Sequence, residues 1–195
     1  MKSKMLLTSV LLCTTLTAIA QEARYEIKSA VIKKTVEMMG QKIEGVQYID
    51  DYGKKESATM NMPMQGVPGM FLRMRTVNMG DTVYTVNMEL KTGNKVVLPE
   101  KPVNYLNLTP EVKDKYNIKE LGQEDVAGKL CDKYSLEVTQ MGQRVSTTIW
   151  VWKGISLKSV LSASGVSMTE MATDIQENVA VDAGHFTIPD GVVFQ

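Results

Sequence analysis

One histidine and two cysteines among 195 residues leave little material for catalysis or metal binding. His185 has no serine or cysteine at motif spacing and no second ligand beside it, so neither a nucleophilic triad nor a zinc site can be built around it. Cys13 lies in the opening stretch, which leaves Cys131 as the lone thiol of the remaining chain. One thiol cannot make an internal disulfide, so the fold must rest on its core. The 22 basic and 22 acidic residues cancel and form no basic cluster, which excludes the usual signature of a nucleic-acid partner. No phosphate loop, dinucleotide fingerprint or zinc spacing is present, and no cofactor is expected. The acidic pairs Asp50-Asp51 and Glu124-Asp125 sit beside turns and read as solvated charges.

Long apolar runs are also scarce, and the one at the start is short. Lys2 and Lys4 precede an apolar core from Met5 to Leu16, and Ala18-Ile19-Ala20 has the small-x-small form of a cleavage site. These features predict a signal peptide over residues 1–20 and a secreted, periplasmic product in a single domain over residues 21–195. The alternative is a lipoprotein acylated at Cys13, but Leu12 stands where such signals carry a small residue. Removal of Lys2 and Lys4 leaves 20 basic against 22 acidic residues.

What the chain has in abundance is two-residue alternation. Leu130, Tyr134, Leu136 and Val138 alternate with Lys133, Ser135, Glu137 and Thr139, the pattern of a half-buried strand. On that reading Cys131 falls on the face opposite Leu130. Val145, Thr147, Ile149 and Val151 alternate with Trp150 and Trp152 on the next strand. Lys153-Gly154 turns into Ile155, Leu157 and Leu161, and a last strand-like run closes on HFTIPDG. Such short connections permit only antiparallel neighbours.

The first half reads the same way. Residues 24–38 form a long strand whose apolar phase changes near Ser29–Val31, which predicts either a bulge there or a strand with both faces covered. Strands follow over 43–52 and 56–62. Residues 63–69 (PMQGVPG) form an apolar loop. Residues 70–79 place Met70, Leu72 and Met74 on one face and Arg73 and Arg75 on the other. After Gly80-Asp81 the run Tyr84, Val86, Met88 and Leu90 makes the next apolar face, and 92–94 turns into a short strand over 95–98. Thr109 as N-cap, Pro110 at the first helical position and Glu111 predict one short helix to about Tyr116. The expected fold is mainly β: a single antiparallel meander curled into an open half-barrel with one or two short helices as lid.

Three stretches carry a resemblance. Gly122, Val126-Ala127-Gly128, Cys131 and Tyr134, then WVWKGI from Trp150 to Ile155, then FTIPDG from Phe186 to Gly191, resemble a family of secreted bacterial proteins of unknown function. That family belongs to the LolA/LolB-like superfamily of periplasmic lipoprotein carriers. By analogy the resemblance implies an unclosed antiparallel barrel of about eleven strands round a helical lid, with a cavity that accepts acyl chains.

The function expected is therefore non-enzymatic binding of an apolar ligand such as a lipid or a lipoprotein acyl chain. Met70, Leu72, Met74, Tyr84, Val86, Met88, Leu90, Trp150 and Trp152 are the candidate apolar lining. Two alternatives remain open. One is an interaction protein with a filled core that meets an envelope protein partner. The other is a Cu(I) site on Met60, Met62 and Met64, whose spacing of two puts three soft thioethers on one strand face; a deformable apolar lining is the plainer use of the same residues.

Overall fold

The computed structural model describes residues 23–64, 67, 69–140, 143–163 and 165–195. The expected signal peptide and Cys13 lie outside them. In chain order the elements are β1 (Ala30–Met38), β2 (Gln41–Asp50), β3 (Lys55–Pro63), β4 (Phe71–Met79), β5 (Thr82–Asn87), β6 (Thr92–Val97), α1 (Pro110–Lys115), β7 (Lys119–Val126), β8 (Lys129–Gln140), β9 (Gln143–Trp152), β10 (Ile155–Ala163), β11 (Val166–Glu177) and β12 (Val193–Phe194).

All twelve strands form one sheet in the order β12-β6-β5-β4-β3-β2-β1-β11-β10-β9-β8-β7. It is the mainly β, open, antiparallel sheet that the alternation predicts, with the two-residue β12 alone parallel to its neighbour. The order reveals two meanders, β1–β6 and β7–β11, joined by pairing of β1 with β11. The connection between them, residues 98–118, runs from next to one end of the sheet to the other.

Directly paired residues point to the same side of a sheet, so the register sorts every strand residue onto one of two faces. One carries the 98–118 connection: Tyr105 lies against Tyr134 with ring centroids 5.8 Å apart. We call it the loop face. The other carries the C-terminal segment, residues 178–195, and is the tail face. There His185 stacks on Tyr48 at 3.7 Å and Phe194 meets Tyr84 edge-on at 5.4 Å. Arg75 Nη1 donates to the Gly184 carbonyl at 3.1 Å, and Val193 N–H to the Lys91 carbonyl at 3.0 Å.

Residues 24–29 are not strand, contrary to the long first strand expected. They cross the end of the sheet, with the N–H groups of Arg24 and Tyr25 donating to the Tyr52 carbonyl and that of Glu26 to Lys153. Tyr25 and Ile27 are thereby buried with Ala30, Ile32, Ile49, Ile155 and Leu157. The phase change read as a bulge near Ser29 marks this change from plug to strand. The register shift lies further on, where Lys33 and Lys34 face Asp174 and Ala172 and leave Thr173 extra. Gly154 turns the chain beneath the plug at φ +84°, and a Cβ there would stand 2.4 Å from the Arg24 carbonyl oxygen.

Four other expectations are revised or met. β5 ends at Asn87, because its side-chain oxygen accepts from the N–H groups of Glu89 and Leu90, closing a turn where more strand was expected. Chain beyond that turn pairs again from Thr92 rather than Lys95. On β8 the buried side is the one carrying Cys131, at 0% exposure, whereas Leu130 is 58% exposed. α1 has Thr109 as its N-cap, with Oγ1 accepting from Val112 N–H. It buries no residue and serves as a connector, tied by Lys115 to Glu100 at 2.6 Å and by the Tyr116 carbonyl to Glu137 N–H at 3.1 Å.

Candidate functional site

On the loop face the rows at the end away from the Tyr25 plug are apolar. Leu136 and Leu161 flank Thr147, Leu161 pairs with Met168, and Met168 with Met38. Val36 pairs with Ile43, Met60 with Met74 and Met62 with Leu72. This band crosses eight adjacent strands, β8 to β4, a path of about 34 Å at the usual strand spacing. Val36 and Ile43 are buried, while Leu136, Leu161 and the methionines keep part of their surface. Unbranched thioether side chains on such a surface can repack around ligands of different shape.

The next rows toward the plug are polar. Lys34 is buried on the otherwise apolar parity of β1, and its ammonium donates to Glu170 Oε1 at 2.5 Å and to the Ser156 carbonyl at 3.2 Å. Glu56 accepts from Arg24 Nη1 at 3.0 Å, from the Tyr25 hydroxyl at 3.2 Å and from Gln47 Nε2 at 2.5 Å. Burial first, and the Glu56 carboxylate second, push the Tyr25 hydroxyl well above the ordinary tyrosine range. Two clefts open over this cluster. One of about 390 Å³ runs beneath Pro102, Val103 and Tyr105. The other, about 190 Å³, continues over Val36, Ala58 and Met60. They share Lys34, Gln47, Glu56 and Glu170, so polar and apolar parts form one groove.

The structure divides the lining expected from sequence. Leu72 and Met74 lie on the loop face, and Met70 precedes them as an exposed residue. Tyr84 and Val86 lie on the tail face, because β4 and β5 pair in a register that sets Met74 opposite Asn87. Val86 is fully buried there, while Met88 and Leu90 stand in the turn after β5. These seven residues therefore do not form one wall. Trp150 and Trp152 also occupy the tail face. Lys133 and Lys158 flank the Trp150 ring at 4.7 and 4.2 Å, and Lys129 and Lys153 flank Trp152 at 4.7 and 4.6 Å. Glu124 bridges the first lysine pair and Glu177 the second. The Trp150 indole N–H makes no hydrogen bond of ordinary geometry, yet it and Lys133 hold the Glu124 carboxyl below its usual range.

Met60 and Met62 share the loop face, but Met64 lies beyond the end of β3 at Pro63, so the expected third thioether is not in the strand register; among the described residues no three His, Cys, Asp or Glu side chains gather to hold a metal ion. Sequence reasoning missed Met38, Leu161 and Met168, which only long-range pairing brings into the same band as Met60. It also missed Lys34, though a lysine between Ile32 and Val36 on an apolar parity was a visible signal. The tail face has its own cleft of about 510 Å³, lined by Lys33, Tyr48, Arg73, Arg75 and His185. Its lining mixes charged heads with apolar stems and rings, and it is partly walled by the C-terminal segment. No helix among the described residues is long and apolar enough to cross a membrane.

No protein-family model and no curated protein matches this chain. Solved structures do. An uncharacterized conserved protein from Thermus thermophilus matches with TM-score 0.55 and 9% identity over 87% of this chain and 91% of that one. MucB of Pseudomonas aeruginosa, solved in complex with MucA, matches with TM-score 0.50 and 15% identity. That match covers 85% of this chain and 56% of MucB. At these identities what is shared is the fold.

Proposed function

We propose that this chain is a non-enzymatic binding protein of the bacterial envelope that holds an apolar ligand, such as a lipid or lipoprotein acyl chain, in the loop-face groove. The observation that carries this reading is the half-buried band from Leu136 to Leu72, rich in methionine and continuous with a cleft beneath Tyr105. The N-terminal sequence supports a periplasmic location, with residues 1–20 removed. Ten methylenes buried in the band contribute about 8 kcal/mol; after an association cost of at least about 4 kcal/mol, a chain alone binds with a Kd of about 1 mM or weaker. Tighter binding requires help from the polar end of the groove. The likeness to MucB supports a second reading, in which an envelope protein is the partner.

The test uses purified residues 21–195 and the apolar fluorophore N-phenyl-1-naphthylamine (NPN). Saturable fluorescence enhancement, displaced by long-chain amphiphiles and lost in Met60→Lys, is expected. Absence of saturable binding by NPN and by every amphiphile removes the acyl-binding reading.

A further inference from the structure

The polar end of the groove contains two groups that the protein leaves unsatisfied. Arg24 Nε and Gln47 Oε1 are both shielded from solvent and have no hydrogen-bond partner, and Gln47 is only 9% exposed. Both side chains line the cleft beneath Tyr105. They flank the same carboxylate, since Arg24 Nη1 binds one oxygen of Glu56 and Gln47 Nε2 the other. That second contact also fixes the amide: turning it over would set its oxygen against the Glu56 carboxylate. One free donor and one free acceptor thus lie just behind the wall of the cleft, closed off from it by a thin cover of side chain, and a buried polar group without a partner is costly.

The charges around them are already matched. Arg24 is paired with Glu56 and Lys34 with Glu170, and all four side chains line the cleft. An anionic head would meet the Glu56 and Glu170 carboxylates, and a cationic head would meet Arg24 and Lys34. The Tyr25 hydroxyl is also engaged, accepting from Arg24 Nη2 at 3.2 Å and donating to Glu56.

From this we infer that the groove selects amphiphiles whose head is uncharged and both donates and accepts hydrogen bonds, namely a hydroxyl or an amide. With a small turn of the two side chains toward the cleft, such a head accepts from Arg24 Nε and donates to Gln47 Oε1, while its chain lies along Met60 and Met74. The inference rests on the acyl-binding reading above and specifies its ligand class.

The experiment is displacement of NPN by a C12 series that differs only in the head: monolauroylglycerol, N-lauroylethanolamine, dodecyl phosphate and dodecyltrimethylammonium, all below their micelle concentrations. The glycerol and ethanolamide heads are expected to bind roughly tenfold tighter than either charged head, as two hydrogen bonds would give. Gln47→Leu and Arg24→Lys each remove one of the two groups, the latter keeping the charge beside Glu56. In each variant the ratio of neutral to charged affinity is expected to fall to about threefold. The ratio is taken within one protein, so a general loss of stability does not imitate it, and thermal unfolding identifies a variant that has not folded. Equal affinities across the series, or a ratio unchanged in both folded variants, overturn the head-group inference while leaving chain binding intact. Failure of NPN and, by calorimetry, of every amphiphile in the series to bind instead removes the underlying reading.

Discussion

Lys34→Met is the sharpest probe of the polar floor beneath the groove. The Lys34 side chain is 10% exposed and that of Glu170 26%. Removing the ammonium strands the Glu170 carboxylate and the Ser156 carbonyl together. Breaking a fully buried pair costs about 3–5 kcal/mol. The contact that Glu170 keeps with water lowers this to about 2 kcal/mol, a fall in Tm of about 4–8 °C for a domain of this size. The double variant Lys34→Met/Glu170→Leu removes both charges and leaves only the Ser156 carbonyl unpaired, so its stability should return to within about 1 kcal/mol of the parent. Urea unfolding followed by circular dichroism and tryptophan fluorescence measures all three proteins. A single variant within about 0.5 kcal/mol of the parent refutes the argument. So does a double variant less stable than the single one.

Other consequences can be checked singly. Met60→Lys should weaken NPN binding at least about tenfold, since it sets an ammonium among Met74, Met62 and Leu72, while Trp152→Phe on the tail face should change it less than about twofold. Burial raises the Cys131 thiol to about 11, so iodoacetamide at pH 8 should label it only after unfolding. Because the folded value lies above the unfolded one, the stability linked to this group is intact below about pH 9 and declines as pH rises toward 11; unfolding titrations across that window measure it. Gly154→Ala should cost more than about 2 kcal/mol, read as a lowered urea midpoint, because the new Cβ strikes the Arg24 carbonyl at a left-handed φ.

The parts legible in the sequence were those governed by neighbours along the chain. Alternation gave nearly every strand from Gln41 to Ala163, and the Thr109-Pro110-Glu111 signal gave the only α-helix among the described residues. Alternation cannot say which parity faces which layer, and that is where expectation failed. Tyr84 and Met74 both look apolar, yet the β4–β5 register sends them to opposite faces. Leu130 looked like core because leucine is apolar, whereas the side shielded by lysine stems and Trp150 is that of Cys131. The groove itself was illegible for a different reason. Met38 and Met168 are far apart in sequence and meet only because the first strand pairs with the eleventh.

That pairing has a consequence for how the molecule is made. β1 occupies the middle of the finished sheet, yet its partner β11 is among the last segments to be synthesised. Until β11 arrives, the N-terminal meander presents β1 as a raw edge with Ile32 and Val36 uncovered, an invitation to any passing strand. The connection over residues 98–118 is long enough for the edge to be filled by a second copy's β11 as readily as by its own. Crowded refolding should therefore yield exchanged dimers, and dilution should yield monomers.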